Sequence, residues 1–70
     1  MGLAMKLIVQ IPCFNEEANL ADVIRDIPRQ IPGFTCVEVL VVNDGSTDRT
    51  IEVAQANGAD HLVTHHRNRG

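Results

Sequence analysis

The sequence predicts a small α/β domain in which three parallel strands alternate with two helices. Three short apolar runs, beginning near residues 6, 36 and 59, have the length and β-branched content of strands. The two segments between them place apolar residues three and four positions apart, which is typical of a helix with one buried face. Right-handed crossovers between parallel strands then give the spatial order 3-2-1, with both helices on one face of the sheet.

Each element can be justified in chain order. The expected elements are a strand over 6–11, a helix over 18–27, a strand over 36–42, a helix over 48–57 and a strand over 59–64. Pro12 should close the first strand and Pro28 the first helix, because proline lacks the amide donor. The central strand has no polar alternation, so we expect it to be buried on both faces. Ser46 or Thr47 could cap the second helix, and Gly58 suits its end. The helix residues expected to face the sheet are Leu20, Val23, Ile24, Ile27, Ile51, Val53 and Ala54.

Length and composition limit the classes of function. Seventy residues suffice for one small domain at most. Six Lys and Arg against nine Asp and Glu, with Phe14 and Phe34 as the two aromatic residues, argue against nucleic acid as a partner. No apolar run approaches the ~20 residues of a membrane span. We therefore expect a cytoplasmic location, or the cytoplasmic face of a membrane for a longer protein.

The cysteines and histidines do not predict a disulfide or a metal site. Parallel pairing would put Cys13 and Cys36 at opposite edges of the sheet, beyond the ~7 Å Cα separation that a disulfide spans. His61, His65 and His66 have no Cys or carboxylate at zinc-like spacing, so we expect solvated side chains and no metal ligands in this chain.

A short acidic loop, Asn43-Asp44-Gly45-Ser46, follows the central strand. Gly45 permits a tight turn, and the carboxyl ends of parallel strands are where α/β proteins bind ligands. An ionised carboxylate only accepts hydrogen bonds, so Asp44 could pair with the N3–H of uracil or the N1–H and N2–H of guanine. The alternative is an Asx turn in which Asp44 bonds its own loop, and the residues alone leave both interpretations open.

The loop after the first strand, Asn15-Glu16-Glu17, has no glycine-rich phosphate cradle. The carboxylates could simply complement the dipole of the following helix. They would also repel a phosphate that approaches the same amides. We therefore expect that a diphosphate bound here would need a metal ion as mediator.

Three motifs together resemble the opening of family 2 glycosyltransferases. Residues 11–17, IPCFNEE, are similar to the family's V-P-x-[YF]-N-E-E segment, and residues 39–50, VLVVNDGSTDRT, to its V-V-[DN]-D-G-S-T-D-x-T segment. Residues 68–70 are similar to the N-x-G segment after the third strand. The resemblance covers about residues 6–70, and within the family it is greatest to the polyprenyl-phosphate branch with dolichol-phosphate mannose synthase-like enzymes.

The resemblance implies a GT-A (Rossmann-like) fold that binds a UDP- or GDP-sugar, with residues 1–70 as its incomplete N-terminal part. Pro12, Phe14 and Glu16 match positions that line the base and ribose pocket, although Phe14 could equally be a core aromatic. Asp44 matches the carboxylate that reads the base. The predicted nucleotide-binding residues are Pro12, Phe14, Asn15, Glu16, Asp44 and Gly45.

The family's metal-binding D-x-D motif, acceptor site and catalytic base match nothing in this chain and would lie beyond Gly70. We therefore expect Mg²⁺ or Mn²⁺ to be held by residues outside the chain, no catalytic residue within it, and no transfer by residues 1–70 alone. The whole enzyme would transfer a sugar to an acceptor such as a polyprenyl phosphate. The alternatives are a non-catalytic nucleotide-binding or interaction module and a truncated gene product. A mostly apolar open sheet face predicts self-association, or a C-terminal part that covers it.

Overall fold

The computed structural model describes residues 4–65 as one sheet with a layer of two helices on it. Its elements are β1 (Lys6–Cys13), α1 (Leu20–Asp26), β2 (Cys36–Asp44), α2 (Thr50–Ala56) and β3 (His61–His65). The strands form one parallel sheet in which β2 lies between β1 and β3. This confirms the predicted α/β class and the predicted strand order.

β1 and β2 extend farther than predicted, whereas β3 and both helices are shorter. β1 continues through Pro12 because it is an edge strand, where one side of the backbone needs no partner. β2 includes Asn43 and Asp44, which were predicted to be loop residues but remain in register with β1 and β3. Helix α2 begins at Thr50, and its N-cap, Arg49, makes no side-chain capping bond.

Both helices pack on one face of the sheet, as predicted, and the core lies between them and β2. Val39 and Val41 are fully buried at 0% exposure. They pack in one cluster with Leu20 and Ile24 of α1 and with Ala54 of α2. The repeated β-branched residues of β2 therefore fill the space under the helices.

One helix position differs from the prediction. Val23 was expected to face the sheet but is 44% exposed, because Leu20 and Ile24, one turn apart, form the buried contact of this short helix. Thr50, the first residue of α2, is completely buried although it is polar.

The other sheet face, which we call the open face, has no helix over it within residues 4–65. Its residues are Lys6, Ile8, Gln10, Pro12, Cys36, Glu38, Leu40, Val42, Asp44, His61, Val63 and His65. Glu38 joins the three strands, since its Oε1 lies 3.5 Å from Lys6 Nζ and 2.7 Å from His61 Nε2. The predictions that β2 is buried on both faces and that this face is mostly apolar are therefore wrong. The alternate residues of β2 are only partly covered, and polar side chains occupy half of the open-face positions.

An ion pair fastens the amino edge of the sheet. Arg29 Nη1 lies 2.8 Å from Asp60 Oδ2, and the guanidinium also donates to the carbonyls of Val37 at 3.2 Å and Gly58 at 2.7 Å. Asp60 accepts the backbone N–H of Val39 at 2.7 Å. This bond, followed by those from Arg29, holds the pKa of the Asp60 carboxyl below its usual range. One carboxylate thus ties β2 to the loops on both of its sides.

The register separates the two cysteines as predicted. Cys13 lies beside Asn43 at the carboxyl edge and Cys36 beside Lys6 at the amino edge, and both are free thiols. Among the residues described, neither helix has the length and apolar character that crossing a bilayer would require.

Candidate functional site

Two loops meet at the carboxyl edge of β1 and β2, and together they contain most of the predicted site residues. The first loop, residues 14–19, connects β1 to α1, and the second loop, residues 45–49, connects β2 to α2. They begin side by side because Cys13 and Asn43 are partners in the ladder. This is the edge at which parallel sheets bind ligands.

Three consecutive backbone amides of the first loop donate hydrogen bonds to side chains that follow β2. The pairs are Asn15 with Ser46 Oγ at 2.9 Å, Glu16 with Thr50 Oγ1 at 2.9 Å, and Glu17 with Asp48 Oδ2 at 3.3 Å. We call these three bonds the loop brace. A phosphate could use these amides only by breaking the brace, which agrees with the missing phosphate cradle in the sequence.

Asn15 links the loops with its side chain as well as its amide. Its φ of 52° is positive, which no other non-glycine residue in the described part of the chain shows, and asparagine tolerates this conformation better than most residues. Its Oδ1 accepts the backbone N–H of Thr47 at 2.8 Å. The structure therefore gives Asn15 a role in holding the two loops together, beside its predicted place in a nucleotide site.

Thr50 and Asp48 form the centre of the brace. The buried Thr50 hydroxyl donates to Asp48 Oδ1, which also accepts the Thr50 N–H at 3.0 Å. Because a hydroxyl has one proton, donating it to Asp48 leaves the oxygen free to accept the Glu16 amide. The bond from the Thr50 hydroxyl is the largest cause that holds the pKa of Asp48 below its usual range.

The turn after β2 is made by Asn43 and Gly45. Asn43 is 1% exposed, and its Oδ1 accepts the N–H of Ser46 at 3.2 Å. Gly45 has a φ of 74°, which confirms the predicted need for glycine. The Asn43 amide oxygen therefore holds the turn that follows β2. Asp44 itself ends β2 as an exposed residue, next in register to His65.

The remaining predicted residues lie around the same edge with exposed side chains. Pro12 is on the open face beside Val42, and Glu16 is exposed in the first loop. Phe14 is 43% exposed, so it is not the core aromatic that was the alternative. Cys13 is buried beneath them, and burial, with the nearby Glu16 charge, raises the pKa of its thiol.

The sequence reasoning missed Asp48 and Thr50 as residues of this edge, and it missed the contact of Ser46 with the first loop. Ser46 and Thr47 were predicted to cap α2, but they bond the first loop instead. The available signal was the run of three hydroxyl and carboxyl side chains between Gly45 and Arg49, which is more than one cap requires.

The described residues do not fit a divalent metal site. Within residues 4–65 no group of three His, Cys, Asp or Glu side chains is placed to hold an ion. Mg²⁺ and Mn²⁺ need several oxygen ligands, and the oxygens of Asp48 already accept hydrogen bonds from the brace. His61 contacts Glu38, His65 is exposed at the end of β3, and His66 lies outside the described residues.

The sequence of residues 8–70, which includes both loops, matches the family model for glycosyl transferase family 2. The chain belongs to this family. It is also 43% identical over 54 residues to 4,4'-diaponeurosporenoate glycosyltransferase of Staphylococcus aureus, including strains USA300 and NCTC 8325. That match covers 76% of this chain but 13% of the relative, so the chain spans a small part of the relative's length. No solved structure gives a significant match.

Membership of glycosyl transferase family 2 confirms the family that the three motifs predicted. Asp44, at the end of β2, and Glu16, on the first loop, are thus exposed acidic residues of a sequence from this family. Their part in nucleotide binding stays a prediction, as does the polyprenyl-phosphate branch.

Proposed function

We propose that this part of the glycosyltransferase binds the nucleoside of a UDP- or GDP-sugar donor at the carboxyl edge of β1 and β2. The observation that carries the proposal is the place of Asp44, an exposed acidic residue at the carboxyl end of β2 and next to the two loops. Its neighbour Asn43 holds the turn that follows. A carboxylate there can accept the ring N3–H of uracil or the ring N1–H of guanine. The corresponding ring nitrogens of cytosine and adenine are acceptors and would face the carboxylate unfavourably.

The exposed side chains beside Asp44 complete the proposed site. Pro12 and Phe14 supply apolar surface for the base, and Glu16 can accept hydrogen bonds from ribose hydroxyls. Asn15 and Gly45 shape the two loops, because both have the positive φ angles that these turns require.

The diphosphate is proposed to lie away from the first loop. The backbone amides of the first loop already donate their hydrogen bonds within the brace, and the carboxylates of Glu16 and Glu17 repel anions. A Mg²⁺ or Mn²⁺ ion would neutralise the leaving diphosphate when bound. Because the described residues do not fit that ion, its ligands would lie elsewhere in the protein, and we expect no transfer by residues 1–70 alone.

The acceptor and location are proposed from the family resemblance. An acceptor such as a polyprenyl phosphate would place the enzyme at the cytoplasmic face of a membrane. The relative in Staphylococcus aureus is named 4,4'-diaponeurosporenoate glycosyltransferase.

Asp44→Asn in the full-length protein tests the proposal. The change keeps the size of the side chain but removes the charge that strengthens the bond to the base, so UDP or GDP should bind about 10- to 100-fold more weakly. Isothermal calorimetry with UDP, GDP, ADP and CDP measures both affinity and selectivity. Asp22→Asn, on the exposed side of α1, is the matched control. Unchanged affinity and selectivity for Asp44→Asn would exclude the proposed role.

A further inference from the structure

The loop brace joins segments more than thirty residues apart through a buried hydroxyl. Thr50 is 0% exposed, and its oxygen connects the Glu16 amide to the Asp48 carboxylate. A hydroxyl with both a donor and an acceptor fixed by neighbours has one orientation. The position of Glu16 relative to β2 therefore depends on this side chain.

The first loop also needs outside support to keep its shape. Asn15 holds a left-handed conformation that non-glycine residues seldom adopt, and such conformations persist where the surroundings determine them. The supporting contacts come from Ser46 Oγ and the Thr47 amide, on the second loop. Asp48 adds the bond to the Glu17 amide. The conformation of the first loop is thus set by the second loop.

From these contacts we propose that Thr50 and Asp48 are positioning residues for donor binding. They hold Phe14 and Glu16 on the first loop at a fixed distance from Asp44 on β2, so that one nucleotide can contact both sides of the edge. This inference rests on the proposed nucleotide site. Neither residue needs to touch the donor, because the Thr50 side chain is buried and both Asp48 oxygens face the brace.

Substitution of a positioning residue should change nucleotide binding differently from substitution of Asp44, the proposed base-binding residue. Loosening the brace removes preorganisation, which weakens binding of every nucleotide to the same degree. It leaves the preference for uracil or guanine unchanged, because the Asp44 carboxylate is still present at the end of β2. A loss of affinity without a loss of selectivity therefore separates positioning from recognition.

Thr50→Val and Thr50→Ser in the full-length protein form the central test. Valine keeps the shape of threonine but removes the hydroxyl, whereas serine keeps the hydroxyl. We expect Thr50→Val to weaken UDP and GDP binding about tenfold and Thr50→Ser to bind within about twofold of the wild type. Thr35→Val is the matched control, since it removes a hydroxyl bonded to the Met5 carbonyl at the opposite edge.

Amide hydrogen exchange supplies a readout that does not depend on nucleotide. Thr50→Val should speed exchange of the Glu16 amide, and Thr50→Ser should restore its protection. If Thr50→Val does not fold, Asp48→Asn replaces it. The asparagine oxygen can still accept the Thr50 hydroxyl, but the NH2 group that replaces Oδ2 cannot accept the Glu17 N–H. We therefore again expect weaker binding with unchanged selectivity.

The outcomes distinguish this inference from the function on which it rests. Wild-type affinity in Thr50→Val, or in a folded Asp48→Asn, would overturn the positioning role while leaving the nucleotide site intact. Failure of Thr50→Ser to restore binding would overturn it too, because the methyl group rather than the hydroxyl would then matter. A wild-type protein that binds neither UDP nor GDP would overturn the proposed function, and the positioning role with it.

Discussion

The two faces of the sheet carry similar apolar residues, but these residues are buried to different degrees. On β2, Val39 and Val41 point toward the helices and are fully buried, whereas Leu40 and Val42, between and beside them, lie half-buried on the open face. The helix-covered face is closed by a continuous apolar cluster. The open face instead combines apolar residues with the ionic contacts around Glu38.

The difference shows that burial is decided by topology rather than by residue type. Both right-handed crossovers bring their helices to the same side of the sheet, so only one set of alternate residues is covered. Because half of the residues on the open face are polar, less apolar surface remains in water than the sequence predicts. The apolar part consists mainly of Ile8, Leu40, Val42 and Val63.

The largest expected effect is on residues 1–70 in isolation. Leaving about 200–400 Å² of apolar surface in water forfeits roughly 5–10 kcal/mol, comparable with the stability of a small domain. We therefore expect this chain to be molten or to associate through the open face, and light scattering with amide exchange measures which. Val63→Lys should weaken association, whereas Val23→Lys, at a similarly exposed valine on α1, should not. A strictly monomeric chain with protected strand amides would contradict the prediction.

The next effect concerns how α1 covers the sheet. Leu20→Ala should destabilise the full-length protein by about 2–5 kcal/mol, because the side chain is 1% exposed within the core cluster. Val23→Ala on the same helix should change stability by less than about 0.5 kcal/mol, because Val23 is 44% exposed. Denaturant unfolding measures both variants. Equal losses would show that both sides of α1 are packed in the whole protein.

The smallest expected effect is the pH dependence of folding stability that arises from three hydrogen-bonded carboxylates. Hydrogen bonds lower the pKa of Glu38, chiefly from His61, and also that of Asp48 and Asp60. A folded-state pKa below the unfolded value stabilises the protein above the unfolded pKa, and this stability is lost as the pH falls through the folded pKa.

The denaturant midpoint should therefore be steady above about pH 5 and fall below about pH 4. Asp60→Asn should reduce this acid sensitivity more than Glu38→Gln, because Asp60 holds a β2 amide while Glu38 holds exposed partners. An acid response that neither substitution alters would show that other carboxylates dominate.

Much of the fold and part of the site were predictable from local patterns. The β-branched runs of β1 and β2 and the helical spacing around Leu20 and Ala54 follow from the sequence, and handedness then determines the strand order. The turn at Gly45 was predictable because few other residues adopt its conformation. The three motifs also predicted the glycosyltransferase family.

Only the tertiary structure decided which polar groups meet. That Asn43 forms the turn, that Glu38 contacts both edge strands, and that Thr50 accepts the Glu16 amide all depend on register. A shift of β2 by one residue would turn Glu38 and Asn43 to the other face of the sheet. Apart from the turn at Asn43, the partners are 23 to 34 residues apart in the sequence, so local propensity does not specify their contacts. The sequence determined the frame of strands and helices, and packing of the helices on one face decided the brace at its carboxyl edge.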